Sequence, residues 1–432
     1  MKLLGNMTVV DNILTIGGVK TSHLVNEFKT PLYVIDEALV RENCKSYIDS
    51  FKVKEDGNKV AYAGKAFLTI AMCQIIKEEG LCLDVVSGGE MYTAYKSGYP
   101  LENVYFHGNN KTVEEIELGL SLNVGRFVVD NLHEIELIDE IAKKHNKIQK
   151  ILLRVTPGIE AHTHDYIKTG QIDSKFGFTI INNSVVNAVK KTLEMTNIEL
   201  VGLHCHIGSQ IFDIAPYEDA VEIMLSLMKS IKEDLNHDFS ELDLGGGFGI
   251  YYKDGDNPKT AEDFCGAILN KAAVVSQELK MELPKLVIEP GRSIIGNAGT
   301  TLYTVGAIKE IPDIRKYVAV DGGMTDNIRP ALYRAEYECA LANRMEEKAE
   351  DVVTVAGKCC ESGDILLNDI SIPVANSGDI LAVFTTGAYG YSMSSNYNKI
   401  PKPPVVLVNQ GKSKLICRRE SFDDIIKNEL GI

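Results

Sequence analysis

The sequence predicts an α/β chain: a (β/α)8 TIM-type barrel plus an all-β C-terminal domain that also takes up the N-terminal segment. Three observations carry this expectation. Between about residues 60 and 292, short apolar runs alternate with longer segments of helical spacing, as βα units around a parallel sheet do. Eight such apolar runs occur in that span, the number a closed barrel needs. Beyond Arg292 the pattern turns to strand-like alternation broken by Gly, Asn and Pro.

Taken in order, the opening residues 1–30 hold a hairpin-like "TVVDNILTIGG" and are expected to add strands to the β-domain. The barrel, assigned to 31–295, is then inserted between the two parts of that domain. Its strand candidates are "KVAYAGK", "CLDVVSGG", "VYFHG", "RFVVD", "KILLRVTPG", "VGLHCHIGS", "ELDLGGGFG" and "KLVIEPGR". Helical signals lie between them: Leu68, Met72, Ile75 and Ile76 share one face before Gly80, and Thr112 with Glu115 and Asn131 with Glu134 are spaced as capping boxes or variants of them. A doubly wound open sheet is the alternative reading, and in both folds function belongs at the carboxyl ends of the strands. Residues 296–432, with "TLYTVGAI", "KYVAVDGG", "DVVTVAGK", "DILAVFTTG" and "PVVLVNQG", read as a β-sandwich or β-barrel-like domain.

With 432 residues, 45% of them hydrophobic and 24% charged, the chain has room for two domains. A net charge of −15 argues against nucleic acid or anionic membrane as a partner, since both select clustered Lys and Arg. No apolar run approaches the roughly 18 residues of a membrane span, and "MKLLGNMTVVDN" lacks the charged start of a signal peptide. The expected location is cytoplasmic. Nine scattered cysteines, never spaced C-x-x-C, fit free thiols in a reducing compartment, and only Cys359-Cys360 stands out.

The residues that close the eight runs are unusually polar: Lys65; Asp84 with Ser87, Gly88, Gly89 and Glu90; His107; Arg154; His204, His206 and Ser209; Gly245, Gly246 and Gly247; Glu289 with Arg292. The triple glycine can bring bare backbone N–H groups to an anion, and "GGGFG" is expected to open a helix that adds to the attraction. It breaks the dinucleotide pattern G-x-G-x-x-G at Ile250, so one phosphate is expected rather than a dinucleotide. His204 and His206, two apart on a strand, leave the same face as a pair of metal ligands would. With His162 and His164 in the loop after the fifth run, they support a rival reading as a barrel hydrolase with a catalytic zinc.

Glu289 ends a strongly apolar strand and needs a cationic or hydrogen-bonding partner. Arg292 is the plain candidate, and a protonated heterocycle of a ligand is the other. Lys65 sits among Ala and Gly with no neighbour in sequence to pair with it, which suits either a surface lysine or one that carries a ligand covalently. A lysine, a phosphate nest and a carboxylate for a ring nitrogen together describe a site for pyridoxal phosphate (PLP).

Long motifs then identify a resemblance: "YAGKA", "HTHDYIKTGQIDSKFGF", "GLHCHIGSQ", "LDLGGGFG", "IEPGRSI", "DGGMTDNIRPALY", "CCESGD" and "GAYGYSMSSNYN", in order over nearly the whole chain. The sequence resembles the fold type III pyridoxal-phosphate decarboxylases, a family that includes ornithine and arginine decarboxylases, and within it the branch that acts on diaminopimelate. The resemblance implies that Lys65 carries the cofactor, that His206 stacks on its ring and that Glu289 binds its ring nitrogen. Ser209, Gly245, Gly246, Gly247, Arg292 and Tyr389 are implied near the phosphate, Arg292 and Tyr389 also facing substrate. Arg329 and Tyr333 are implied to hold a distal carboxylate, with Asp84, Glu90 and Arg154 in supporting positions. Cys360 and Glu361 are implied to come from the partner subunit of a homodimer. No metal is expected.

The reaction that the resemblance implies takes in meso-diaminopimelate and gives out L-lysine and carbon dioxide, with Cys360 or Lys65 protonating Cα. Arg329 offers a planar fork for the distal carboxylate and Glu361 a counter-charge for the distal ammonium. Alternatives are a decarboxylase of another basic amino acid or of a carboxylated polyamine, and a non-catalytic relative that binds the cofactor only. On residue type alone Arg329 also reads as a surface arginine, Cys360 as a buried small hydrophobe, and Tyr333 and Tyr389 as core aromatics.

Overall fold

The computed structural model describes residues 2–159 and 174–432 and divides into two compact units, one of 43–250 and 257–293, the other of 1–42, 251–256 and 294–432. In the first unit eight parallel strands close into a barrel: β1 Lys59–Ala63, β2 Cys82–Val85, β3 Val104–Phe106, β4 Arg126–Val129, β5 Gln149–Thr156, β6 Ile198–Cys205, β7 Glu241–Asp243 and β8 Lys285–Ile288. Closure is by β8 on β1, Val287 opposite Lys59 and Ile288 opposite Val60, and this pairing removes the open-sheet alternative. All eight predicted runs are barrel strands. A two-residue strand, Phe178–Thr179, pairs with Val155 and Thr156 of β5 beyond the point where β4 ends.

The barrel interior is packed. Ala61, Tyr105, Val128, Leu152, Val201 and Val287 form one buried cluster inside it, each large side chain contributing about 1.5–3 kcal/mol by leaving water. The helical spacings hold in part, Leu68 lying before the helix it was expected to join. Helix Ile70–Glu78 is capped by Thr69, which accepts from Met72 N–H, and it buries Met72, Cys73, Ile75 and Ile76. Thr112 and Glu115 make a reciprocal capping box. Asn131 caps Leu132–Lys144, but Glu134 turns its side chain to buried Lys111 instead of completing the box.

The second unit carries a nine-stranded sheet whose main path runs Ile365–Ile372, Asp351–Ala356, Arg315–Val320, Gly299–Ile311, Leu32–Asp36, Val405–Asn409, Lys412–Cys417. All five strand candidates after residue 296 lie in it. The N-terminal hairpin forms, Met7–Val10 on Ile13–Ile16, but it builds its own three-stranded sheet with Val19–Lys20. It joins the unit by packing: Leu14 and Ile16 share a buried cluster with Leu32, Val34, Val406 and Val408. The segment that pairs with the large sheet is instead Leu32–Asp36, which the sequence pattern assigns to the barrel. Both its faces are buried, so it shows no alternation to mark it. Among the described residues no helix is long and apolar enough to cross a membrane.

Candidate active site

Lys65 follows β1 on a single 3-10 turn, Gly64–Ala66, that swings its side chain to the carboxyl end of the barrel. A Cβ on Gly64 would stand 2.9 Å from the Asp84 carbonyl oxygen, so the turn needs glycine. The lysine is not without a counter-charge: its Nζ lies 3.9 Å from Oδ2 of Asp84, which β2 carries fully buried. This corrects the reading from sequence, where Lys65 had no partner. The two strands pair side by side, with Ala63 opposite Asp84, and that pairing is what brings lysine and acid together. Burial raises the Asp84 pKa, with His107 opposing the shift.

Glu289, just past β8, is buried and touches two imidazoles. His107 Nε2 lies 2.7 Å from Oε1, and His204 Nε2 lies 3.3 Å from Oε2. Burial alone would raise the Glu289 pKa, but His107 and His204 together bring it well below the usual carboxylate value. Arg292, the plain candidate, is not among its partners in the described residues; it donates instead from Nη2 to Ser209 Oγ at 2.8 Å. Asp243 on β7 is the third carboxylate here, and the sequence reading missed it. Burial and the adjacent Glu289 push it well above its ordinary pKa, while its Oδ1 accepts from Gly245 N–H at 2.9 Å. Its signal was a lone acid in the apolar run "LDL".

His204 and His206 do not act as a pair. β6 ends at Cys205, so the two-residue alternation stops before His206. His204 faces Glu289, whereas His206 Nδ1 accepts from Gly246 N–H at 3.2 Å, and burial together with the Lys65 charge drives the His206 imidazole to its neutral form. The buried group whose donor atoms lie within 4.8 Å of one another is His107, His204, Asp243 and Glu289, without His206. His162 and His164 lie outside the described residues.

The triple glycine also differs from expectation. No helix follows it directly: Phe248 bridges to Ile211, and the next helix starts at Ala261. Gly245 and Gly247 have φ of +68° and +102°, which cannot propagate a helix. A Cβ at Gly246 would fall 2.0 Å from the Glu289 carbonyl oxygen and one at Gly247 2.3 Å from that of Gly208, so bare backbone is required for packing. Two of the three N–H groups are already taken by Asp243 and His206. Gly247 N–H has no acceptor among the described residues and is the one left for an anion, on a backbone packed against Gly208, the neighbour of Ser209.

Two supporting positions complete this end. Glu90 Oε2 accepts from Val86 N–H at 2.8 Å, and burial pushes its pKa up to about 7. The Arg154 guanidinium stacks 4.2 Å above the Phe176 ring, with Asp130 Oδ1 3.9 Å from its Nε. Asp130 also accepts from Gly177 N–H at 2.8 Å.

In the second unit Arg329 opens the short helix Arg329–Tyr333 and is buried, not at the surface. Its Nη1 donates to the hydroxyls of Tyr252 at 3.1 Å and Tyr337 at 2.5 Å. It makes no ion pair with a carboxylate among the described residues. Neither tyrosine was singled out from sequence, because 77 and 8 residues separate them from Arg329. Tyr333 is half-buried at the end of the helix. Cys360 and Glu361 are exposed, Cys360 N–H donating to Asn398 Oδ1 at 2.7 Å. Cys359 beside them is buried, which pushes its thiol up to about 11. Tyr389 holds φ of +60°, a left-handed backbone that a bulky residue seldom adopts and that often marks a functional position.

The barrel end therefore fits a ligand with an anionic group and a cationic ring. It offers a lysine amine, an arginine beside a serine, and an ionised carboxylate set between two imidazoles and the Asp243 carboxyl.

Comparison with known proteins agrees. Residues 37–296 match the model of the pyridoxal-dependent decarboxylase, pyridoxal binding domain. The chain is 51% identical to diaminopimelate decarboxylase of Halalkalibacterium halodurans and 50% identical to that of Bacillus subtilis, each over 96% of this chain and 95% of the relative. It superposes on diaminopimelate decarboxylase from M. jannaschii, solved in co-complex with L-lysine, with a TM-score of 0.93 and 36% identity over 99% of this chain and 98% of that one. A lysine/ornithine decarboxylase from Vibrio vulnificus, at 22% identity and a TM-score of 0.77, shares the fold.

Proposed function

The chain belongs to the pyridoxal-dependent diaminopimelate decarboxylases, and on that premise we infer that it removes carbon dioxide from the D-configured centre of meso-diaminopimelate and releases L-lysine, the last step of lysine synthesis. The observation that carries the substrate is Arg329. A buried guanidinium held by two phenols, with no carboxylate beside it among the described residues, is a cation awaiting an anion. A distal carboxylate supplies one, and ornithine or lysine has none to offer.

Pyridoxal phosphate, when bound, supplies the sink for the electrons of the breaking Cα–carboxylate bond. Lys65 provides the amine that holds it, with the Asp84 carboxylate close enough to tune that amine. Glu289 takes the ring nitrogen and His206 lies against the ring. Ser209, Arg292 and Gly247 N–H take the phosphate, Gly245 and Gly246 shape the turn that presents them, and Tyr389 stands beside it. Asp84, Glu90 and Arg154 set the charge around this constellation. Arg329 and Tyr333 orient the distal carboxylate, and Arg292 and Tyr389 also face substrate.

In this reading the enzyme is a homodimer, with Cys360 and Glu361 serving the partner's site. Their exposure and the backbone hold on Cys360 support this, and Cys360 is the candidate for returning a proton to Cα, with Lys65 the alternative. Nine free cysteines fit the cytoplasm as its compartment.

The test is carbon dioxide release from meso-diaminopimelate, L-lysine, L-ornithine and L-arginine, with wild type and Arg329→Ala. Release from diaminopimelate alone is expected, with KM about 10- to 100-fold higher in the variant, as loss of a hydrogen-bonded charge pair requires. An unchanged KM overturns the role of Arg329; release from a basic amino acid overturns the substrate. Mixing Lys65→Ala with Cys360→Ala, each inactive alone, should restore activity if sites are shared between subunits. No restoration removes the shared-site dimer.

A further inference from the structure

We propose that His107 and His204 are positioning residues for the cofactor: two imidazoles, one on each oxygen of Glu289, that keep this carboxylate ionised and aimed so that its charge meets the protonated ring nitrogen. The proposal rests on the function proposed for this site, in which Glu289 takes that nitrogen.

The two contacts differ: His204 makes a hydrogen bond, whereas His107 lies close to the other oxygen without the alignment of one. His107, the first residue after β3, reaches Oε1 at 2.7 Å, and His204 on β6 reaches Oε2 at 3.3 Å. Their rings meet edge to face, 4.9 Å between centroids, and both are buried with Glu289. Each carboxylate oxygen has about two lone-pair sites, and Oε1 accepts no aligned hydrogen bond, so the carboxylate keeps room for a further donor.

Two further acids lie beside this group. Asp243 on β7 contacts Glu289 directly, and Asp84 on β2 lies 3.7 Å from His107 Nε2. Asp243 is pushed well above its ordinary pKa and is hydrogen-bonded to Glu289, so burial itself is what chiefly opposes ionisation of Glu289. The cations facing the cluster are Arg154 on β5 and Lys65 after β1, with neutral His206 after β6; among the described contacts none of them touches Glu289. Burial alone would raise Glu289 toward its neutral form and the two imidazoles oppose this, which matters because a neutral carboxyl gives a pyridinium no counter-charge. Burial brings His204 down to about 3, so this ring works as a neutral N–H donor. Such a donor aligns the carboxylate without adding a cation that would repel the ring nitrogen.

The test compares binding of pyridoxal phosphate with that of its 1-deaza analogue, which has a C–H in place of the ring nitrogen, to cofactor-stripped protein. Asn places an amide near the imidazole Nδ1 and cannot reach Glu289, whereas Gln places one near Nε2 and can. His107→Asn and His204→Asn are each expected to weaken pyridoxal phosphate about tenfold or more, leaving the deaza analogue within about twofold of wild type. His107→Gln and His204→Gln should regain most of the loss. Equal losses for both cofactors, or none, overturn the proposal, and because the histidines are tested separately one variant that fails to fold leaves the other to decide. Glu289→Gln distinguishes the premise. If it too shows no selective loss, Glu289 does not meet the ring nitrogen and both readings fall; a selective loss in Glu289→Gln alone removes only the histidines.

Discussion

At the amino-terminal end of the barrel, Glu241 is met by Arg126 at 2.9 and 2.6 Å, by Lys59 at 2.5 Å and by the Tyr105 hydroxyl at 3.1 Å. At the carboxyl end, Asp84, Asp243 and Glu289 have two histidines in contact and one lysine at 3.9 Å. Both ends bury carboxylates, but the first answers them with cations in direct contact and the second with imidazoles and a more distant lysine. The difference shows in proton affinity. Burial alone would raise Glu241, yet Arg126 and Lys59 bring it down to about 2, whereas burial raises Asp84 against the opposing His107 and raises Asp243 with the help of Glu289. The lower end is electrostatically complete and serves stability. The upper end carries an excess of acid that a cationic ring completes, so its strain belongs to function.

That contrast breaks most sharply at Lys65. Lys65→Ala should lower decarboxylation on the order of 10³-fold or more, with the urea midpoint unchanged or raised, because removing one cation from an already unbalanced end costs little packing. A large loss of stability would show that Lys65 is structural. Glu241→Gln should do the reverse. Stranding Arg126 and Lys59 is expected to cost about 3 kcal/mol in urea unfolding, with kcat per folded molecule unchanged; a fall in kcat would mean that the two ends are coupled.

Asp84→Asn is a finer probe. An amide replaces an acid that burial already disfavours as an anion, so thermal stability should hold or rise while activity falls about 10- to 100-fold through the altered setting of Lys65. A drop in stability would show that the Asp84 charge is held by more than the lysine. The smallest effects are in pH dependence. Glu241 has a folded pKa below the unfolded one, so its stabilisation is present above about pH 4.3 and lost as pH falls toward 2. Glu90, raised to about 7, is opposite in sign: the folded state holds the extra proton, so stability is full below about pH 4.3 and declines as pH rises through 7. Glu90→Gln should therefore gain stability relative to wild type at pH 8 and show little change at pH 4. An equal shift at both would remove burial as the cause.

Much of this site is legible in sequence because it is local. Lys65, Glu90, His206, Ser209, Gly247, Glu289 and Arg292 each close a strand run or follow one, and a barrel carries all its strand ends to one rim. The residues misjudged from sequence depend on which strands become neighbours. Arg292 is three residues from Glu289 and was the natural partner, but the partners are His107, just after β3, and His204, on β6, 182 and 85 residues away. Tyr252 and Tyr337 are hidden from Arg329 because they lie in irregular segments, where no backbone repeat tells which residues meet. The helix expected after "GGGFG" failed because glycine runs signal backbone freedom without saying how it is used.

Residue spacing was enough to define the alternation that makes a barrel, the strand-like pattern of the second unit and the chemistry gathered at the strand ends. That spacing is set by the 2.0 and 3.6 residue repeats of the backbone, which are local. Folding in three dimensions was needed to assign Leu32–Asp36 to the large sheet, to turn Lys65 toward Asp84 and to lay Glu289 between two imidazoles. Each of those depends on which side chains burial forces together across the barrel or the sheet. A group's charge in such a place is fixed by its neighbours in space, and a chain does not print them side by side.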